Sequence, residues 1–323
     1  MTAPLPIGII GAGIMGERLL RAILDQPADL VAVAGVWDPS DVALTRIASA
    51  LPAIRTMPNP AALIAASECV YIASPPASHL GHARAALAAR KPVFCEKPLA
   101  VDVEDARAFV AEAGPRGAVN FPFASSPAVA ALRGWIAEGV VGAIETVTIE
   151  VAFRTWPRPW QADAAAWLDA TAQGGFIREV VSHFLFLTRR LVGPLHGLAG
   201  SAAFPEPGRS ERAIAATLCA GDVPVTLRGD VGSTEKDDHN LWTLQGENGA
   251  VRLRDWSIVE RRQTDGSWQA TPDALPNEKA RPLALKRQLE GVVAMARGEP
   301  HHLATLQEAL EVQEIVEAML QGR

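Results

Sequence analysis

The chain has 323 residues and a formal net charge of −6; 49% of its residues are hydrophobic and 20% charged. That length suits two domains, each with its own core, and the composition is that of an ordinary globular protein. The acidic balance offers no field for nucleic acid or anionic lipid, no apolar run is long enough to span a membrane, and three scattered cysteines (Cys69, Cys95, Cys219) form neither a disulfide framework nor a metal set.

The first element is the most informative. An apolar strand at 5–10 runs into Gly11-Ala12-Gly13-Ile14-Met15-Gly16, and a helical pattern over 15–25 follows at once. Glycine in the first place permits the tight turn. In the second it lets a pyrophosphate approach the backbone, and in the third it lets helix and strand pack closely. The helix N-terminus adds free N–H groups, so Gly11, Gly13, Ile14, Met15 and Gly16 are candidate cofactor-binding residues. The next strand, 30–37, ends in Asp38, about twenty residues beyond the last glycine, where an acid takes both ribose hydroxyls. Pro39-Ser40 supplies no arginine for a 2′-phosphate, so NAD is expected over NADP; Arg46 is the cation that could offset Asp38.

Strands at 69–73, 92–95 and 118–121 then alternate with helices near 41–50, 60–66, 79–90 and 102–113, the last capped by Asp102. This alternation implies a doubly wound parallel sheet, an α/β Rossmann-type domain over 1–121. Ligands bind such sheets beyond the carboxyl ends of the strands. The glycine loop, Ser74-Pro75-Pro76 and Glu96-Lys97-Pro98 each fall there, and Asn120 ends the last of these strands.

Beyond 122 the pattern changes. A helix over 128–138 leads to an alternating strand at 144–153. Gly174-Gly175 precedes a long helix over 176–192. Strand-like runs follow at 195–199, 213–219, 223–231, 240–245, 249–254 and 256–262, with a hairpin turn at Gly246–Gly249. A second α+β domain over 122–323 with a largely antiparallel, open-faced sheet is therefore expected. Its exposed face suggests a homodimer or homotetramer. The stretch 272–282 reads as a surface connection, and helices near 282–297 and 303–321 close the chain, the last expected to pack back on the first domain.

Oxidising a secondary alcohol needs a base for the hydroxyl proton and a hydride acceptor beside the carbinol carbon, and a cation there can hold the oxygen. Lys97 lies where the sheet delivers residues to a nicotinamide, and Glu96 is placed to position loop or cofactor. Glu179 and His183, four apart on the expected helix, share a face, and histidine exchanges protons near neutral pH. Arg154–Trp160 mixes cations and aromatics and reads as a substrate-side loop or plain packing. His301-His302 have no companion at zinc-ligand spacing, so no metal is expected.

These features together resemble the Gfo/Idh/MocA family of NAD(P)-dependent oxidoreductases, typified by glucose–fructose oxidoreductase and inositol dehydrogenase. They are the glycine fingerprint; Tyr71-Ile72-Ala73-Ser74-Pro75 followed by His79; Val93–Ala100 with Glu96-Lys97-Pro98; and Gly174-Gly175 followed by Glu179 and His183. The resemblance implies a cis Lys97–Pro98 peptide and Ser74, Pro75 and His79 near the cofactor. It implies Lys97, Glu179 and His183 in catalysis, with Asn120 and Trp167 on the substrate side. The family usually has Asp at Glu179 and often Gly at Val181. An arginine common at the start of its second domain is absent from 121–126, which argues against a highly polar sugar. The expected activity is reversible hydride transfer between a nicotinamide and a carbinol carbon of a small-molecule sugar, polyol or related compound. The alternatives are a cofactor-binding sensor without turnover and an imine or double-bond reductase. The absence of a basic-then-apolar leader and the cysteine usage suggest a reducing, cytoplasmic setting.

Overall fold

The computed structural model describes residues 3–26 and 29–322. Chain contacts divide it into two units: one runs to Pro122 and takes back Leu285–Leu310, the other comprises Phe123–Ala284 and Glu311 onward.

In the first unit, β1 (Leu5–Ile10), β2 (Val31–Trp37), β3 (Cys69–Ile72), β4 (Val93–Glu96) and β5 (Gly117–Asn120) form a parallel sheet in the order β5-β4-β3-β1-β2. Each of the first four strands is followed by helix: α1 (Ile14–Leu24), α2 (Asp41–Ala50) with α3 (Pro60–Ala66), α4 (His79–Ala88) and α5 (Val103–Ala113). Helices on such crossovers cover the sheet, so its strands read as near-continuous apolar runs. Ile7, Ile9, Tyr71 and Phe94 are at most 1% exposed. Caps fix the helix starts: Asp102 Oδ1 accepts from Asp105 N–H at 2.8 Å and Asn59 Oδ1 from Ala62 N–H at 2.8 Å. The strand order reverses at β1, leaving a crevice at the carboxyl ends of β1 and β3.

The unit also holds residues that the sequence places in the second domain. A short strand, β14 (Ala304–Thr305), pairs antiparallel with β5, and Leu289, Val292, Val293 and Leu303 join the core around Ile7 and Ile9. The helix α9 (Asn277–Ala296) begins inside the expected surface connection and carries Pro282 within it. Proline there removes the bond its own N–H would make and crowds the carbonyl four residues back, a cost offset by the packing of Leu289, Val292 and Val293.

The second unit is built on an eight-stranded sheet, β13-β12-β11-β10-β6-β9-β8-β7. Its strands are β6 (Ile144–Phe153), β7 (Leu195–Ala203), β8 (Ala213–Ala220), β9 (Val223–Val231), β10 (His239–Gly246), β11 (Gly249–Arg254), β12 (Ile258–Arg262) and β13 (Trp268–Ala270). All pairs are antiparallel except β6 with β9. Alternation is strict on β8 and β9: Ile214, Ala216, Leu218, Val225 and Leu227 are buried while Ala215, Thr217, Thr226 and Arg228 are exposed. A helix α6 (Pro127–Ala137) precedes the sheet, a short α7 (Ala165–Leu168) follows β6, and α10 (Leu306–Gln321) ends the chain.

The expected helix over 176–192 is two pieces. Ile177–Val181 is a π-helical turn, and α8 (Ser182–Leu191) is regular. Ser182 N–H reaches the Ile177 carbonyl five residues back. Ser182 through Thr188 are all buried, so this helix is the core of its unit rather than a one-faced surface helix. Trp242 Nε1 on β10 donates to Thr188 Oγ1 at 2.8 Å and ties α8 to the sheet. Among the described residues no helix is long and apolar enough to cross a membrane.

Candidate active site

In the first unit the glycine loop has the shape of a nucleotide cradle. Gly11 has φ +102°, and a Cβ there would stand 2.6 Å from the Ala73 carbonyl carbon. A Cβ on Gly16 would sit 1.8 Å from Gly11 O. Both positions exclude any side chain. A Cβ on Gly13 would meet nothing within 4 Å, so the space above Gly13 is open. Gly13 is the N-cap of α1 and Ile14 and Met15 form its first turn, where backbone N–H groups have no helical acceptor. A pyrophosphate fits this donor set and this opening.

Asp38 closes the loop from the β2 side. Its Oδ2 accepts from Ala12 N–H at 2.8 Å and its Oδ1 from Ser40 N–H at 2.8 Å. Arg46 donates to Ala12 O at 2.6 Å and to Glu17. Burial pushes the Glu17 carboxyl up, but hydrogen bonds from Arg21 and Arg46 outweigh it and hold it below the ordinary range.

On the same edge of the sheet, β4 ends in Glu96, followed by Lys97 and a cis Lys97–Pro98 peptide. Glu96 and Lys97 are 7% and 9% exposed, low for charged groups. Glu96 Oε1 accepts from Tyr71 OH and, at 2.6 Å, from Asn120 Nδ2; Asn120 Oδ1 accepts in turn from Gln288 Nε2. Burial, then the neighbouring Glu96, pushes the Tyr71 phenol well above its ordinary value, so it remains a donor. Asn120 is 2% exposed, with donor and acceptor both engaged inside this network.

His79 opens α4 and is fully buried. Its Nδ1 lies 2.9 Å from the Pro98 carbonyl and its Nε2 2.7 Å from that of Ser74, so the ring bridges the two loops that leave β3 and β4. A neutral imidazole donates to one of them, and only the imidazolium to both. Burial is the dominant influence and pushes its pKa down despite both carbonyls. Ser74 is half-buried and Pro75 exposed on this edge. Burial pushes the Cys69 thiol up to about 12 and Cys95 well above its ordinary value, as inert core thiols.

In the second unit the double glycine has two separate reasons. A Cβ on Gly174 would be 2.3 Å from the Trp167 and Leu168 carbonyl oxygens. Gly175 has φ +104°, and its missing Cβ leaves room for the Glu211 carboxylate. Glu211 is fully buried, and its Oε1 accepts from Ile177 N–H at 2.7 Å, capping the π turn. Burial raises its pKa although Arg178 and Arg212 pull it down. Arg178 donates to both Glu317 oxygens (2.6 and 2.7 Å) and to the carbonyls of Thr171 (2.9 Å) and Gly174 (2.7 Å).

Glu179, half-buried, lies within the π turn and His183, 8% exposed, begins the regular helix. The bulge falls between them, so their offset is not the plain α-helical step the sequence implies; Val181, where the family often has glycine, is buried in the same turn. His183 meets Phe123 edge-on at 6.1 Å and Trp256 at 5.5 Å between ring centroids. Trp167 on α7 is half-buried.

Two of these participants, Trp256 and Gln288, escape sequence reasoning, and Arg158 is reached only through its segment. Trp256 follows β11, and its Nε1 donates to Asp238 Oδ2 at 3.0 Å. Arg158, within the aromatic segment 154–160, is 7% exposed, donates to the same oxygen at 2.6 Å and lies over Trp160 and Trp156. That segment is therefore a packed cation–aromatic cluster. Gln288 lies 168 residues from its partner Asn120. Nothing local singles out Gln288, which follows Lys286-Arg287 on its helix.

Fold and site together define a dinucleotide-binding protein with a Rossmann-type sheet and a second sheet-based unit. Residues 5–122 match the model of the Gfo/Idh/MocA oxidoreductase family, described as an NAD-binding Rossmann fold. The rhizopine catabolism protein MocA of Rhizobium meliloti is 30% identical over 97% of this chain and 93% of its own length. The chain belongs to this family. An inositol 2-dehydrogenase of Acidothermus cellulolyticus is 36% identical over 145 residues, 42% of this chain; the chain thus spans 41% of that relative's length. An oxidoreductase from Agrobacterium radiobacter, solved with NAD+, L-tartaric acid and magnesium, superposes with a TM-score of 0.81 at 19% identity, over 98% of this chain and 95% of that one.

Proposed function

We propose that the protein is an NAD-dependent dehydrogenase that interconverts a ring carbinol of a cyclic polyol or sugar with the matching ketone. The observation that supports this most is the carboxyl edge of the first sheet. An open phosphate cradle at Gly13 and a buried Lys97, next to a carboxylate fixed by Tyr71 and Asn120, stand on one edge. The Acidothermus relative, an inositol 2-dehydrogenase, points to the same chemistry.

Gly11 and Gly16 keep the loop tight, and the N–H groups at Gly13, Ile14 and Met15 receive the pyrophosphate. Asp38 takes the ribose hydroxyls and repels a 2′-phosphate, which favours NAD over NADP. Arg46, engaged with Glu17 and Ala12 O, does not offset it. Ser74 and Pro75 border the cofactor, and His79, buried behind them, ties the Ser74 loop to the Pro98 loop. A bound nicotinamide supplies a hydride acceptor: the carbinol C–H bond breaks with its electron pair and a C=O bond forms. Lys97 binds the substrate oxygen and stabilises its developing negative charge. His183 takes the hydroxyl proton in oxidation and returns it in reduction, with Glu179 orienting the imidazole. Glu96 and, behind it, Asn120 position Lys97, and Trp167 borders the substrate.

The test is cofactor reduction with a panel of cyclic polyols and aldoses, beside calorimetric titration with both nucleotides. Turnover with a ring alcohol and tighter binding of NAD+ are expected. Tighter NADP+ binding would overturn the cofactor assignment, and no turnover across the panel would overturn the activity. We also propose a homodimer or homotetramer through the exposed face of the second sheet, where Thr148, Thr226 and Thr217 lie abreast across β6, β9 and β8. A monomer by light scattering at micromolar concentration would refute it.

A further inference from the structure

The β11–β12 hairpin turns through two residues of left-handed backbone, Asp255 (φ +45°) and Trp256 (φ +73°). Ser257 N–H closes the turn on Arg254 O at 3.2 Å. Two consecutive positive φ values are met easily by Asn-Gly or Asp-Gly. Here the second position holds tryptophan, a bulky residue for which that region is an outlier. Strain of this kind persists only where the surroundings over-determine it, and it clusters at ligand sites.

The surroundings do so. Asp238 Oδ2 accepts from both Trp256 Nε1 and the buried Arg158, fixing the indole plane. The ring meets His183 edge-on at 5.5 Å with an interplanar angle of 78°, and lies 5.7 Å from Phe123 and 5.3 Å from Phe184. Phe123 and Phe184 are 4% and 0% exposed, whereas Trp256 keeps part of its surface open.

We propose that Trp256 is a specificity-determining residue, a wall beside His183 that stacks on the apolar C–H face of a saturated ring. Asp238 is its positioning residue. The indole face is the negative side of its quadrupole, and ring C–H groups present weak positive charge to it. A cyclic polyol or pyranose offers such a face, and an open-chain polyol does not. This deepens the dehydrogenase reading and rests on it for the identity of the ligand.

The full-length protein, labelled with 5-fluorotryptophan and loaded with NAD+, is titrated with myo-inositol and separately with sorbitol while 19F NMR is recorded. Trp256→Phe assigns the resonance. A saturable shift of the Trp256 resonance with myo-inositol, and a much smaller one with sorbitol, is expected. Trp256→Gly, which suits the left-handed backbone, is expected to raise KM for the ring alcohol about tenfold with little change in kcat, and Trp256→Phe to restore most of it. An unmoved Trp256 resonance while myo-inositol is oxidised, or an unchanged KM in Trp256→Gly, would overturn the wall and leave the dehydrogenase standing. A saturable shift without any cofactor reduction would support the wall and overturn the dehydrogenase. Neither shift nor reduction would overturn both.

Discussion

Replacing Arg178 by methionine removes the cation of a buried, two-pronged ion pair. Its partner Glu317 is 7% exposed and accepts from Arg178 at 2.6 and 2.7 Å. The carbonyls of Thr171 and Gly174 lose their side-chain donor as well. Breaking one partner of such a pair leaves a buried charge uncompensated and costs about 3–5 kcal/mol. For a unit of this size each kcal/mol moves Tm by about 2–4 °C, so a fall of roughly 6–20 °C is expected. Removing both charges, as in R178M/E317M, also removes the orphaned carboxylate, so the double variant is expected to recover most of the loss. Urea denaturation followed by circular dichroism gives the free-energy change of each variant, and a thermal melt gives its Tm. A single-variant loss under about 1 kcal/mol, or a double variant no more stable than R178M, would refute the reasoning.

The Glu211 carboxyl, raised by burial, binds its proton more tightly folded than unfolded, so its stabilising contribution is present below the unfolded value near 4.5 and lost as pH rises through the folded value. E211Q is therefore expected to gain stability relative to the parent as pH rises from about 4.5 toward neutrality, measured as the difference between two Tm–pH profiles; a flat difference would contradict it. G13V is expected to keep the parental Tm and abolish NAD+ binding by calorimetry, because its side chain enters open space, whereas G16A is expected to lower Tm, because its Cβ would collide with Gly11 O. H183A is expected to lower turnover by roughly 10²–10⁴-fold and to remove one limb of the pH–rate profile, and K97A to lower turnover strongly, with NAD+ affinity kept in both. Near-normal turnover of H183A with the same profile would move the proton to Glu179 or Lys97.

Local chemistry made much of this legible in the sequence. The glycine loop, the Asp102 cap and the Gly246–Gly249 hairpin are each dictated by a few consecutive residues, and the structure places them as expected. What escaped was non-local. Ala304–Thr305 have no strand pattern of their own and become a strand only by pairing with β5. Pro282 argues against helix in isolation and is outweighed by packing of the residues after it. The π turn at Ile177–Val181 has no periodic signature, and its anchor Glu211 lies 34 residues away. Trp256 opens the expected strand run 256–262, which in fact begins at Ile258, and Asp238 lies between the expected runs; only the fold brings the indole against His183.

The most direct measurement is the fate of the carbinol hydrogen. Ring-deuterated inositol, incubated with the protein and NAD+, is expected to yield a nicotinamide carrying deuterium at C4, detected by mass spectrometry and NMR, with the yield falling sharply in H183A. Cofactor that binds, as calorimetry would report, yet acquires no deuterium from any ring alcohol offered would contradict the assignment of this protein as a dehydrogenase.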